Sequence, residues 1–221
     1  MLKSPAVIIV LSLFLAVFNS WPAFFFLKIG LFDTDSVWFS LATAISAFLL
    51  MFLLPSFLIK YAFKEKLSDF GLNIPNIKET LKLSLTILLI FLPIIFFLSG
   101  QKSFEDYYFI NGQLNIFFLL TSAFASLFYY FSEEFLFRGF LFFGLWNRLK
   151  IHSFWIISLL FSFLHLSKAK GEFIFAFFFS LAACYLSLKT KSFIPAVLVH
   201  FILALTLNIL VYYLHTFVSF A

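Results

Sequence analysis

The sequence predicts an all-α fold, a polytopic transmembrane bundle of about seven helices, and three observations support this. Of the 221 residues, 63% are hydrophobic and only 11% are charged, which leaves too little polar surface to cover a soluble globule. The apolar residues form long runs that match the roughly 20 residues needed to cross a bilayer as a helix. These runs are apolar at both odd and even positions, whereas a membrane β-barrel would alternate polar and apolar residues. We therefore expect a single membrane domain, residues 1–221.

The apolar runs give the expected spans in chain order. They are Ala6 to Leu27, Val37 to Ile59, Leu81 to Leu98, Ile116 to Trp146, Phe154 to Leu166, Phe173 to Leu188 and Phe193 to Phe220. The fourth and seventh runs exceed one membrane thickness and the fifth is short, so tilting, extension into water or a break is expected, and an eighth helix stays open. The polar connection from Lys60 to Lys82 is expected to be a loop or an interfacial amphipathic segment.

The charge pattern indicates membrane topology and not a nucleic-acid partner. The net charge is +5, but the basic residues lie in short loops and form no continuous stripe. The loops that would share a side with Lys3 carry more lysine and arginine than the others, so the positive-inside rule places the N-terminus in the cytoplasm. We expect an integral protein of a bacterial inner membrane, in contact with membrane lipids. The sequence gives no signal for an oligomeric state.

Charged residues inside an apolar run are costly, and the fourth run contains three of them. Glu134 and Arg138 stand at positions i and i+4 of a helix and can pair, whereas Glu133 points about 100° away and lacks that partner. A carboxylate in such a site, with no direct counter-ion, suits a general base. The pair alone could equally be a structural lock between helices.

Two histidines in later apolar runs strengthen the functional interpretation. His165 ends the sequence Phe161-Ser162-Phe163-Leu164-His165, and His200 lies between Val199 and Phe201. Polar groups on three helices can converge in the core of a bundle. Either histidine by itself is more typical of a hydrogen bond between helices.

These residues resemble the motifs of one family. Glu-Glu-Phe-Leu-Phe-Arg-Gly at 133–139 resembles the EExxxR motif of the CAAX protease and bacteriocin-processing (CPBP, or Abi) family, and Phe161 to His165 resembles its FxxxH motif. A later histidine in an apolar helix, here His200, is the third expected element. Lys66 to Leu72 resembles the leader segment that often precedes the core helices. The resemblance extends over residues 116–212, which we expect to be the catalytic core.

The resemblance implies an intramembrane endopeptidase that hydrolyses a peptide bond of a membrane-associated or lipidated peptide substrate. It implies that Glu133 activates water, that His165 helps to hold this water, and that His200 stabilises the oxyanion. Glu134 and Arg138 would be the supporting pair.

One position departs from the family pattern. The third motif usually reads HxxxN, but Ala204 stands four residues after His200. The nearest asparagine, Asn208, lies about 12 Å further along a straight helix and is rotated by about 80°. Half of the expected oxyanion site is therefore in question.

No tightly bound metal or other cofactor is expected. Two histidines and a glutamate could position a water molecule with or without a metal, so metal dependence stays open. The sequence contains no HExxH motif, which argues against a zinc protease of the site-2 type. It also lacks the Gly-x-Ser-Gly and Gly-x-Gly-Asp segments of rhomboid-like and presenilin-like proteases.

Two other classes of function fit the same residues. An inactive relative could keep the charged cluster for packing and act as a membrane scaffold or bacteriocin-immunity protein, an interpretation that Ala204 favours. A transporter or proton channel also places ionisable groups inside the membrane, but the sequence shows no repeated halves or paired half-helices. The substrate stays open among a prenylated C-terminal box, a peptide pheromone, a lipoprotein tail and a C-terminal sorting signal.

Overall fold

The computed structural model describes residues 3–19, 25, 28–30, 36–109 and 116–218. Throughout these residues the regular structure is helical, without a strand, which confirms the all-α fold. In the first half of the chain α1 is Pro5–Phe18, α2 is Val37–Ala62, α3 is Ile77–Ser99 and α4 is Lys102–Tyr108. Part of the first expected span, residues 20–24 and 26–27, lies outside the described residues.

The second half holds four more helical segments. Helix α5 begins as the α-helix Ile116–Glu134, passes directly into the π-helix Phe135–Phe143 and ends as the α-helical turns Gly144–Leu149. Helix α6 is His152–Phe163, α7 is Glu172–Thr190 and α8 is Ile194–Tyr213, which continues as the π-helix Leu214–Val218.

Capping residues explain where the early helices begin. Ser4 caps α1, since its Oγ accepts the Val7 N–H at 3.4 Å, and Pro5 follows at the first helical position, where a missing N–H costs nothing. Asn76 caps α3, and its Oδ1 accepts the Glu79 N–H at 3.2 Å. Helix α3 therefore begins within the segment that the sequence assigned to a polar connection up to Lys82, and that expectation is corrected.

Four helices of the described chain are long and apolar enough to cross a membrane: Val37–Ala62, Ile77–Ser99, Glu172–Thr190 and Ile194–Phe217. Helices α1 and α6 are apolar but shorter. Large apolar side chains such as Leu89 and Phe97 face outward, while Glu134 and Arg138 are fully buried. This distribution is the one expected of a helical bundle in lipid.

The leader segment that precedes α3 packs on the π-helix of α5. Its 3₁₀ turn, Leu67–Phe70, buries the Phe70 ring against Phe140, with the ring centroids 6.2 Å apart. The next residue, Gly71, has a φ of 80°, and its carbonyl accepts the Phe193 N–H at the start of α8 at 3.2 Å. The leader therefore joins the π-helix to α8.

Basic residues that the sequence groups on one side of the membrane gather at one end of the bundle. Lys3 pairs with Glu65 of the leader region, and both line a cavity of about 100 Å³ together with Arg148. Asn73 donates to the Lys191 carbonyl at 3.0 Å. The loops that carry these residues are thus neighbours in the fold.

Candidate active site

The EExxxR motif lies at the junction of two helix types. Glu133 and Glu134 are the last residues of the α-helical part of α5, and Arg138 lies in the π-helix that follows. All three are buried, with exposed fractions of 5%, 0% and 0%. The wider turn of a π-helix frequently marks a functional site. The sequence argument used α-helical spacing from Glu133 to Arg138, whereas the structure passes into a π-helix at Phe135.

Glu134 binds two partners through one oxygen. Its Oε1 lies 3.1 Å from Nη1 of Arg138 and 2.7 Å from Nδ1 of His200. The i, i+4 pair predicted from the sequence is therefore present, because four residues still bring the two side chains together across the π turn. The contact with His200 was not predicted. It links α5 to α8 through a chain of guanidinium, carboxylate and imidazole.

Glu133 occupies a different environment from its neighbour. Its Oε1 accepts the Tyr129 hydroxyl at 3.3 Å, and its Oε2 lies 3.7 Å from Nδ1 of His200. Among the described residues it makes no ion pair with Arg138. The two glutamates thus differ as the sequence suggested, but Glu133 has neighbours in Tyr129 and His200 and is not free of partners.

Aromatic rings surround the charged cluster. Cζ of Arg138 lies 4.3 Å from the centroid of the Phe161 ring, at cation–π distance. The His200 ring lies 4.2 Å from Tyr130 and 4.9 Å from Phe179. Phe161, the first residue of the FxxxH motif, therefore supports Arg138 and packs beside the imidazole of His200.

His165 lies just beyond the end of a helix. The sequence placed it within a span, but α6 ends at Phe163 and His165 occupies the turn that follows, so this expectation is corrected. Nδ1 of His165 donates to the Phe161 carbonyl at 2.8 Å, because a carbonyl can only accept. In the neutral ring, Nε2 is then an acceptor.

A cavity of about 50 Å³ lies beside this cluster. Its polar lining consists of Tyr108, Tyr130, His165, Lys168, Glu172, His200 and Asn208. One water molecule needs about 10 to 15 Å³ by this measure, so the cavity has room for a few. Glu133 and Glu134 do not line it; both contact His200, which does.

The cavity runs along α8 and reaches both ends of the third motif. Ala204 and Asn208 line it together with His200, although α8 is a regular helix from Ile194 to Tyr213. Nδ2 of Asn208 donates to the Ala204 carbonyl at 3.0 Å. Asn208 therefore lines the cavity although it lies two turns from His200 on a straight helix.

Sequence analysis did not identify Tyr108, Lys168 and Glu172. Oε1 of Glu172 accepts the Tyr108 hydroxyl at 2.8 Å and lies 3.5 Å from Nζ of Lys168. Burial, with the Glu172 carboxylate nearby, raises the pKa of the Tyr108 hydroxyl well above its usual range, so the hydroxyl remains a donor. One signal was available: besides Glu133 and Glu134, Glu172 is the only acidic residue between 115 and 206.

The donor atoms of Glu133, Glu134 and His200 all lie within 4.8 Å of one another, which is close enough for a shared cation. In this arrangement, however, Glu134 already binds Arg138 and His200. A metal at this position would have to displace these contacts.

The composition and the helical bundle define an integral membrane protein. Its buried carboxylate, imidazole and guanidinium groups lie beside a small polar cavity, and such a site can hold water and transfer protons. The family model described as type II CAAX prenyl endopeptidase Rce1-like matches residues 115–206. This match confirms the resemblance to the CAAX protease family. At the level of the family it supports a CAAX-type intramembrane protease.

The matched segment contains the EExxxR and FxxxH motifs, His200 and Ala204, whereas the leader Lys66–Leu72 and Asn208 lie outside it. Neither the curated proteins nor the solved structures compared with the chain give a match.

Proposed function

We propose that the protein is an intramembrane endopeptidase that hydrolyses a peptide bond of a membrane-associated or lipidated peptide. One observation carries this proposal. Two separate segments of an apolar bundle bring His165 and His200 to a single cavity, and Glu133 and Glu134 of a third segment contact His200. Arg138 pairs with Glu134. Such groups are costly in lipid and typically mark a functional site.

The proposed reaction assigns one step to each group. A water molecule held at Nε2 of His165 attacks the scissile carbonyl carbon, while Glu133 takes one proton from that water. The carbon–nitrogen bond then breaks, and Glu133 delivers the proton to the leaving amine. His200 donates from Nε2 to the oxyanion when its ring carries both protons.

Glu133 does not line the cavity, so its role as base requires a movement toward it. Its present contacts favour such a movement. The Tyr129 hydroxyl bond is long at 3.3 Å, and Nδ1 of His200 lies 3.7 Å away, beyond direct hydrogen-bond distance. Catalytic hydrogen bonds commonly tighten only when substrate is bound.

Glu134 and Arg138 hold the imidazole of His200. The 2.7 Å contact with Glu134 fixes the proton on Nδ1 and leaves Nε2 for the cavity. Arg138 supplies the positive charge that a buried glutamate needs. These two residues are therefore proposed to position His200 and not to contact the substrate.

A comparison of membrane proteomes tests activity and substrate together. Cells that express the wild-type chain and cells that express Glu133→Gln would be compared by mass spectrometry of terminal peptides. We expect at least one new terminus that depends on Glu133. Glu79→Gln, at the start of α3 and away from the cavity, serves as the matched control and should retain that terminus. Identical termini in all three strains would refute the proposed function.

We also propose that the protein resides in a bacterial inner membrane with its N-terminus in the cytoplasm. The support is the common location of Lys3, Arg148 and the Lys191 loop at one end of the bundle. A Ser4→Cys variant tests the orientation, because the native Cys184 is fully buried and should not react. Membrane-impermeant maleimide should label this variant in broken cells but not in intact cells.

A further inference from the structure

Glu172 is a buried carboxylate that the proposed reaction does not use. It is the first residue of α7, with an exposed fraction of 6%. Its Oε1 accepts the Tyr108 hydroxyl, but its Oε2 is buried and has no hydrogen-bond partner among the described residues. A buried carboxylate oxygen without a partner is costly, so a water molecule or a ligand is expected beside it.

The imidazole of His165 faces this carboxylate. Nε2 of His165 lies 3.9 Å from Oε1 of Glu172, which is too long for a direct hydrogen bond. Because the Nδ1 proton is committed to the Phe161 carbonyl, Nε2 of the neutral ring is an acceptor, as is the carboxylate. Two acceptors cannot bond to each other, but a single water molecule can donate to both.

The separation is close to the one that such a water requires. Two hydrogen bonds of about 2.8 Å from one water place their acceptors roughly 4 to 4.5 Å apart, and the observed 3.9 Å needs only slightly bent hydrogen bonds. His165 and Glu172 both line the cavity of about 50 Å³, which has space for this water. A water that donates both hydrogens to these acceptors turns its lone pairs away from them, toward the rest of the cavity.

We propose that Glu172 is a positioning residue of the hydrolytic site: before the attack, it and His165 accept the two hydrogens of the nucleophilic water and direct its lone pairs at the substrate carbonyl. Glu133, once it has moved to the cavity, replaces Glu172 as the acceptor of one hydrogen and takes that proton as the water attacks. The Tyr108 hydroxyl and the Lys168 ammonium fix the carboxylate at 2.8 and 3.5 Å. This inference rests on the proposed function, since it concerns the same water. It adds a third carboxylate to the site, beside those of Glu133 and Glu134, and α7 contributes it.

The test measures cleavage of a quenched fluorescent peptide that ends in a prenylated CAAX box by the full-length chain in detergent micelles. We expect Glu172→Gln to lower kcat about 10²-fold, as is typical of a misplaced reactant, with KM within about twofold of the wild-type value. Tyr108→Phe should have a smaller effect of the same kind. Glu105→Gln is the matched control, because Glu105 pairs with Lys102 near Tyr108 but does not line the cavity.

A second measurement separates positioning from folding. The chain has four histidines, so the ring resonances of ¹⁵N-histidine-labelled protein can be assigned by single substitutions. Glu172→Gln should move the Nε2 resonance of His165, and Glu105→Gln should not. If Glu172→Gln retains wild-type kcat while Glu133→Gln is inactive, the role of Glu172 is refuted and the proposed function stands. If Glu133→Gln cleaves the peptide normally, the proposed function itself fails.

Discussion

Oε1 of Glu134 lies 2.7 Å from Nδ1 of His200, and this contact joins the first and third motifs of the site. The same oxygen binds Arg138 at 3.1 Å, so a single carboxylate oxygen serves two helices. From the sequence, Glu134 and Arg138 were expected to form a supporting pair, and no contact between Glu134 and His200 was predicted. In the structure Glu134 also contacts His200, and this contact orients the imidazole ring. The consequences of changing either residue therefore extend to both stability and catalysis.

The Glu134→Gln variant should lose activity as well as stability. The amide can still accept a hydrogen bond, but its charge is gone and Arg138 is left buried without a counter-ion. Removing one partner of a buried ion pair costs about 3 to 5 kcal/mol. Glu133→Gln, by contrast, should abolish turnover and leave the melting temperature close to that of the wild type. Thermal unfolding and peptide cleavage of the two purified variants would check this, and equal melting temperatures would contradict it.

The Arg138→Ala variant should be destabilised by a similar amount, about 3 to 5 kcal/mol, because Glu134 would lose its cation while remaining fully buried. Replacing both residues with apolar ones, as in Glu134→Leu with Arg138→Met, should recover part of this loss. Recovery should be incomplete, since His200 then lacks its acceptor. A double variant no more stable than Arg138→Ala would show that the two side chains do not interact in the membrane.

The close contact between the leader and the π-helix predicts a packing effect at Gly139. A Cβ at this position would lie 2.8 Å from Cδ2 of Phe135 and 3.0 Å from the Phe70 carbonyl oxygen. Gly139→Ala should therefore cost about 1 to 3 kcal/mol and lower activity by shifting the π-helix that carries Arg138. Gly100→Ala is the control, since its nearest contact would be 3.8 Å away. Equal melting temperatures for the two variants would indicate that the leader does not press on the π-helix.

Much of the fold was predictable because long apolar runs in the sequence identify membrane helices. The sequence placed the start of the third span at Leu81, but α3 begins at Ile77 because Asn76 caps it within a polar stretch. Hydropathy alone does not identify such a cap. The π-helix from Phe135 to Phe143 was missed for a different reason. Its residues are as apolar as those of an α-helix, so hydropathy does not distinguish the two.

The site was predictable only in part. Glu134 and Arg138 were paired correctly because their spacing is local in sequence, and this spacing survives the π turn. The contact between Glu134 and His200 spans 66 residues, and no local pattern encodes it. Glu172 was missed because it lies at the edge of an apolar run. A charged residue costs little free energy there, so its presence does not indicate a functional site.

The departure at Ala204 predicts a gain of function. Ala204 lies one turn after His200 and lines the same cavity, so an asparagine there could donate to the oxyanion beside His200. A single oxyanion donor is worth about 10² to 10³ in kcat. We expect Ala204→Asn to raise kcat more than it changes KM, because the added donor acts mainly in the transition state. Ala204→Leu, which fills the cavity without adding a donor, should lower activity.

The roles of His200 and Asn208 should differ in size although both residues line the cavity. His200 is held at Glu134, whereas the side-chain amide of the exposed Asn208 already donates to the Ala204 carbonyl at 3.0 Å and lies two turns further along α8. We therefore expect His200→Ala to remove nearly all turnover and Asn208→Ala to reduce it less. Kinetics on one peptide substrate, with melting temperatures for both variants, would decide this. If Asn208→Ala is as damaging while the protein stays folded, Asn208 reaches the reacting carbonyl and replaces the donor that Ala204 lacks.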